Sequence, residues 1–127
     1  MKALLGLLMA LNAVLFVFGA VQHVGMEIGR FREPVIIPAA IVETICALTL
    51  FWGLWALFRG SAPFWTGALI GNLVPIAGVL LGIVALAHGR GPRTASNDHL
   101  HVAMLTLAGL SLAVLLAARV FPRLGNL

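Results

Sequence analysis

The chain has 127 residues and a mass of 13.4 kDa; 61% are hydrophobic, 9% are charged, and the mean hydropathy is +1.09. A soluble domain carries roughly a quarter charged residues, so this composition excludes a soluble enzyme, a nucleic-acid binder and a disordered chain. The formal charge of +4 reflects eight Lys and Arg against four acids, scattered as anchors at lipid headgroups rather than gathered into a phosphate-binding patch.

Four apolar runs follow, at about 3–24, 35–58, 63–87 and 99–118, each near the roughly 20 residues that cross a bilayer as a helix. The first is broken only by Asn12, Gln22 and His23. A cleaved leader wants small residues at its cleavage site, and Phe18 before Gly19-Ala20 does not fit, so this run reads as a membrane helix. Residues 26–34 are a charged exit with Gly29 and Pro34 as breakers. In the second run Pro38 falls in the first turn, where a missing N–H does little harm. Residues 59–63 are a tight connection, with Ser61 expected to cap the third helix. Pro75 is expected to kink that helix. Residues 89–98 form the one long loop, and their polar end supplies N-cap chemistry for the fourth span. The expectation is an all-α, integral membrane protein, a single domain over 1–127 of four antiparallel helices with both termini on one side.

Cations do not orient it. Lys2, Arg59, Arg119 and Arg123 fall on the terminal side, and Arg30, Arg32, Arg90 and Arg93 on the other. Either the first helix decides, or copies insert both ways. Trp52, Trp55, Phe58, Phe64 and Trp65 read as an aromatic belt on the terminal side. The single cysteine, Cys46, excludes an internal disulfide.

Small residues mark packing faces. Gly67, Gly71, Gly78 and Gly82 share one face of the third helix at helical spacing. In lipid such stripes let backbones approach, either within the bundle or between copies. Gly109, Ala113 and Ala117 form a weaker stripe on the fourth helix, and Ala39, Glu43 and Ala47 another on the second.

Glu43 is the one acid well inside a span, roughly 12 Å deep at 1.5 Å per residue. An ionised carboxylate there costs about 2.5–3.5 kcal/mol or more. It is therefore neutral or paired. One reading makes it a proton- or cation-exchanging group, or the polar anchor of a ligand pocket shaped by Asn12 and Asn72. The other makes it a neutral group hydrogen-bonded to Asn12, Thr44 or Asn72. Asn12, Gly19 and His23 share a face of the first helix, and Glu27 is expected to continue it.

His23, His88, His99 and His101 all lie toward the non-terminal face, with Glu27, Glu33 and Asp98. Imidazole and carboxylate together suit Zn²⁺, Cu²⁺ or Fe, so His23, Glu27, His88, His99 and His101 are the candidate metal ligands. The competing readings are interfacial or capping histidines and a pH-sensing cluster. His99 and His101 point about 200° apart on a helix and do not both face one centre.

Val42-Glu43, followed by Leu48-Thr49-Leu50-Phe51-Trp52-Gly53-Leu54, resembles the second helix of DoxX-like membrane proteins. The resemblance covers about one helix and the four-span layout, and it implies an accessory role in respiratory or thiol-stress functions. Small multidrug exporters are similar in length and layout, but their membrane carboxylate lies in the first helix, where this chain has Asn12. Gly67-Ala68-Leu69-Ile70-Gly71-Asn72 resembles the Gly-rich second span of fluoride channels, whose Thr-rich later motif is absent here.

Three functions are carried forward. The first is a bundle that binds or moves a proton or small solute at Glu43. The second is an accessory subunit of a membrane complex, and the third a membrane metalloenzyme; enzymatic activity is the least supported. No cofactor is expected beyond a divalent metal at the histidines. The expected partners are the lipid bilayer and either further copies or other membrane subunits, with no nucleic acid. The expected residence is a bacterial-type inner membrane.

Overall fold

A computed structural model describes residues 1–29, 31–60 and 64–120. Arg30, the Ser61 cap, the Pro63 start of the third run, Pro122 and Arg123 lie outside the described residues. Four helices account for most of the rest: α1 (Lys2–His23), α2 (Ile37–Arg59), α3 (Phe64–Ala87) and α4 (Ala95–Val120). Each is long and apolar enough to cross a membrane. At 1.5 Å per residue the shortest spans about 33 Å, against a hydrocarbon core of about 30 Å.

The ends follow local chemistry. α1 stops at His23, where Val24 caps it and Gly25 takes a left-handed φ of +93°. α2 begins with Pro38 in its first turn and ends on Gly60 at φ +62°. Pro75 is accommodated inside the one continuous helix α3. α4 starts four residues earlier than its apolar run, because the Thr94 hydroxyl accepts the Asn97 amide at 3.1 Å and caps the helix there.

α1 packs against α2 and α4, and α3 packs against the same two, which closes the four helices around one core. Leu5, Met9, Phe16, Leu50, Leu57 and Met104 fill it. The α3 glycines are spent inside this bundle. A Cβ on Gly67 would lie 2.8 Å from Ala56 Cβ, and one on Gly71 would lie 3.0 Å from the Thr49 carbonyl. Further along, Gly78 faces Cys46 Sγ of α2, and Gly82 faces the His101 ring of α4. By contrast Gly109 is exposed with nothing near its Cβ position, and Ala113 is exposed beside it. The α4 stripe therefore faces away from the bundle.

The outer surface is apolar. Leu4, Leu7, Leu11 and Val14 run down the outside of α1, all exposed. A surface of this kind suits lipid and would aggregate in water. Arg59 lies 5.4 Å over the Trp55 ring and Arg119 4.9 Å over Trp65, joining cations to the aromatic belt.

The α1–α2 connection folds back over one end of the bundle. The Ile36 amide donates to the His23 carbonyl at 3.0 Å. Glu33, buried in that connection, accepts from the Thr94 hydroxyl at 2.7 Å and from the Ser96 hydroxyl. Glu33 thereby ties this connection to the start of α4.

Candidate functional site: a buried His–Glu pair beside an apolar cavity

Side chains on a helix lean toward its N-terminus. His23 is the last residue of α1, so its ring leans back along the bundle. Glu43 is six residues past the start of α2, and its side chain leans toward the end where α2 begins. The Ile36–His23 backbone bond holds those two ends together. The side chains converge: His23 Nδ1 lies 2.8 Å from Glu43 Oε2, with the two side chains 2% and 7% exposed.

Gly19, one turn before His23, makes room for the carboxylate. A Cβ there would come 2.6 Å from Glu43 Oε1, so the carboxylate lies directly against the α1 backbone. An imidazolium facing a carboxylate is neutral as a pair, which offsets much of the penalty of a lone charge in lipid.

Glu43 also forms part of the wall of a cavity of about 410 Å³. Phe16, Val42, Val79 and Met104 give it apolar walls, and His101 of α4 adds a second polar group. His101 is 8% exposed. Its Nε2 faces Gly82, while its Nδ1 is buried with no hydrogen-bond partner among the described residues; His23 Nε2 is in the same condition. Pro38, Leu81 and Arg90, all exposed, lie at the rim.

The partners expected for Glu43 are not the ones it finds. The Thr44 hydroxyl donates to the Ala40 carbonyl at 2.7 Å, within its own helix. The Asn72 amide donates to the Ala68 carbonyl at 2.7 Å, leaving its oxygen unpaired. Asn12 is wholly buried, with neither amide atom paired among the described residues. Neither asparagine is among the residues lining the cavity. Ser111 of α4, also wholly buried and unpaired, is a polar core residue that no sequence pattern marked.

The proposed ligand set is distributed. Glu27 does not extend the His23 face, because α1 ends at His23; it pairs instead with Arg32 at 3.1 Å in the exposed connection. His88, also exposed, pairs with the Val84 carbonyl at 2.8 Å. His99 lines a separate cavity of about 220 Å³ with Gln22 and Glu33, while His101 faces the larger one, as their spacing requires. Among the described residues, no three His, Cys, Asp or Glu side chains come together in a metal-binding group.

No family model, curated protein or solved structure matches the chain. Function therefore rests on the site. The pairing of His23 with Glu43 was missed from sequence, although the shared face of Asn12, Gly19 and His23 carried the signal: a small residue one turn from a histidine is the gap a carboxylate fills.

Proposed function

We propose that this chain is an integral membrane protein of four antiparallel helices, with its termini on one side, that binds or moves a proton or small solute at Glu43. The contact at 2.8 Å between His23 and Glu43 on the wall of an apolar cavity carries the reading. A buried ion pair is seldom a device for stability, since apolar residues of similar volume often do as well or better. Ionisable groups inside a membrane mark sites of binding and proton movement instead. In this reading Glu43 takes up and releases a proton, His23 holds its carboxyl in place, and the cavity receives the solute. A bacterial-type inner membrane belongs to the same proposal.

Infrared difference spectroscopy of the protein in lipid nanodiscs tests it. Titration should reveal a protonated-carboxyl band that is lost in Glu43→Gln. The same band persisting in that variant would remove Glu43 from the exchange.

A second reading, an accessory subunit, draws support from the outward small face of α4 at Gly109 and Ala113. It also draws on the resemblance of the second helix to DoxX-like proteins. A helix of another subunit, or of a second copy, would approach closely there.

A further inference from the structure

Resting on that reading of the cavity, we propose that its occupant is an uncharged, lipid-soluble molecule about two fused rings in size, with one hydroxyl that accepts from His101 and donates to Glu43. It enters sideways between α2 and α3.

The cavity volume sets the size. About 410 Å³ is two to three times the roughly 150 Å³ that accepts a benzene ring. The walls set the polarity: they are apolar apart from Glu43 and His101 within and Arg90 at the rim. His101 supplies the independent sign of a ligand. It is more than nine-tenths buried, it lines the cavity, and its Nε2, which faces the lining residue Gly82, makes no hydrogen bond among the described residues. A ring nitrogen held largely out of water without a partner is costly, and a ligand hydroxyl in the cavity would satisfy it.

Charge narrows the class. Glu43 is already matched by His23, so a cation gains no unpaired carboxylate, and an anion finds no unpaired cation within the cavity, Arg90 standing only at its exposed rim. An uncharged polar group fits between them. The route follows from the seam between α2 and α3. Gly53, Gly67 and Gly71 close it tightly near the terminal end. Nearer the other end the cavity is lined by Pro38 and Ala39 of α2 and by Leu81 and Ala85 of α3, and Pro38 and Leu81 are exposed. An entry between these exposed apolar residues would face the lipid, where a molecule dissolved in the bilayer arrives.

The test is equilibrium dialysis of radiolabelled 2-naphthol, naphthalene and 2-naphthoate against the full chain in nanodiscs, with empty nanodiscs subtracted. The expected result is saturable 2-naphthol binding, about tenfold tighter than naphthalene, as one hydrogen bond to a buried partner gives. His101→Phe keeps the ring and should erase that preference while naphthalene still binds. Ala39→Phe fills the opening and should abolish both. Each variant is first shown to be folded by protection of Cys46 from maleimide. Binding no greater than in empty nanodiscs, an unchanged preference in His101→Phe, or tighter binding of 2-naphthoate would overturn the proposal. The Glu43 infrared band is read on the same wild-type sample. If it is present without naphthol binding, the ligand class fails alone; if it is absent, the exchange reading fails.

Discussion

Glu43 Oε1 lies where a Cβ on Gly19 would approach to 2.6 Å, so α2 sets its buried carboxylate directly against the backbone of α1. Gly19→Ala must push that carboxylate away from its place beside His23. The expected loss is about 1–3 kcal/mol, the cost of leaving a buried polar partner unpaired when the His23–Glu43 contact is broken. Unfolding in mixed micelles of increasing SDS content checks it. Gly109→Ala, where nothing stands near the new methyl, is expected to be neutral or slightly stabilising in the same assay.

Breaking the pair on one side should cost more than removing it whole. His23→Ala leaves a buried carboxylate without its partner, a loss of about 3–5 kcal/mol. Adding Glu43→Gln to that variant should restore part of the stability. A double-mutant cycle reads the coupling; additive losses would show that the 2.8 Å contact contributes nothing as a pair.

Cys46 reports on the α2–α3 seam. It is wholly buried, facing Gly78, so a membrane-permeant maleimide should label it slowly in the folded protein. Gly71→Val forces side-chain atoms toward the Thr49 carbonyl and Met9, and should speed labelling while lowering stability by about 1–3 kcal/mol. Labelling as slow as in the wild type would mean that α2 and α3 do not meet along their glycines.

Glu33 joins the α1–α2 connection to the start of α4 through the Thr94 and Ser96 hydroxyls. Hydrogen bonds to a charged group are worth about 1.5–3 kcal/mol. Glu33→Ala should therefore raise hydrogen exchange in residues 24–36, seen first at the Ile36 amide that bonds His23. Unchanged exchange there would show that the tie holds nothing.

The four helices were legible because apolar length is a strong signal, and the burial of Glu43 followed from its depth. Its partner was not legible. Counting residues placed His23 at the interface and Glu43 inside, yet side chains lean toward the N-terminus of their helix. At the end where α1 stops and α2 starts, that lean closes the gap between them. The Glu27 expectation failed for a local reason: α1 ends at His23 and the chain turns through Gly25, so helical spacing no longer applies. The start of α4 was placed late because hydropathy marks where a helix becomes apolar, while the Thr94 cap marks where it begins. Spacing did separate His99 from His101, since both lie within one regular helix.

The most direct test of the Glu43 site is solid-state NMR of the protein in lipid, with ¹⁵N-labelled histidine and asparagine and ¹³C-labelled glutamate carboxyls. A strong dipolar contact between His23 Nδ1 and the Glu43 side-chain carboxyl carbon, abolished in Glu43→Ala, is the predicted result. A Glu43 carboxyl with no histidine contact, coupled instead to the amide of Asn12 or Asn72, would contradict it.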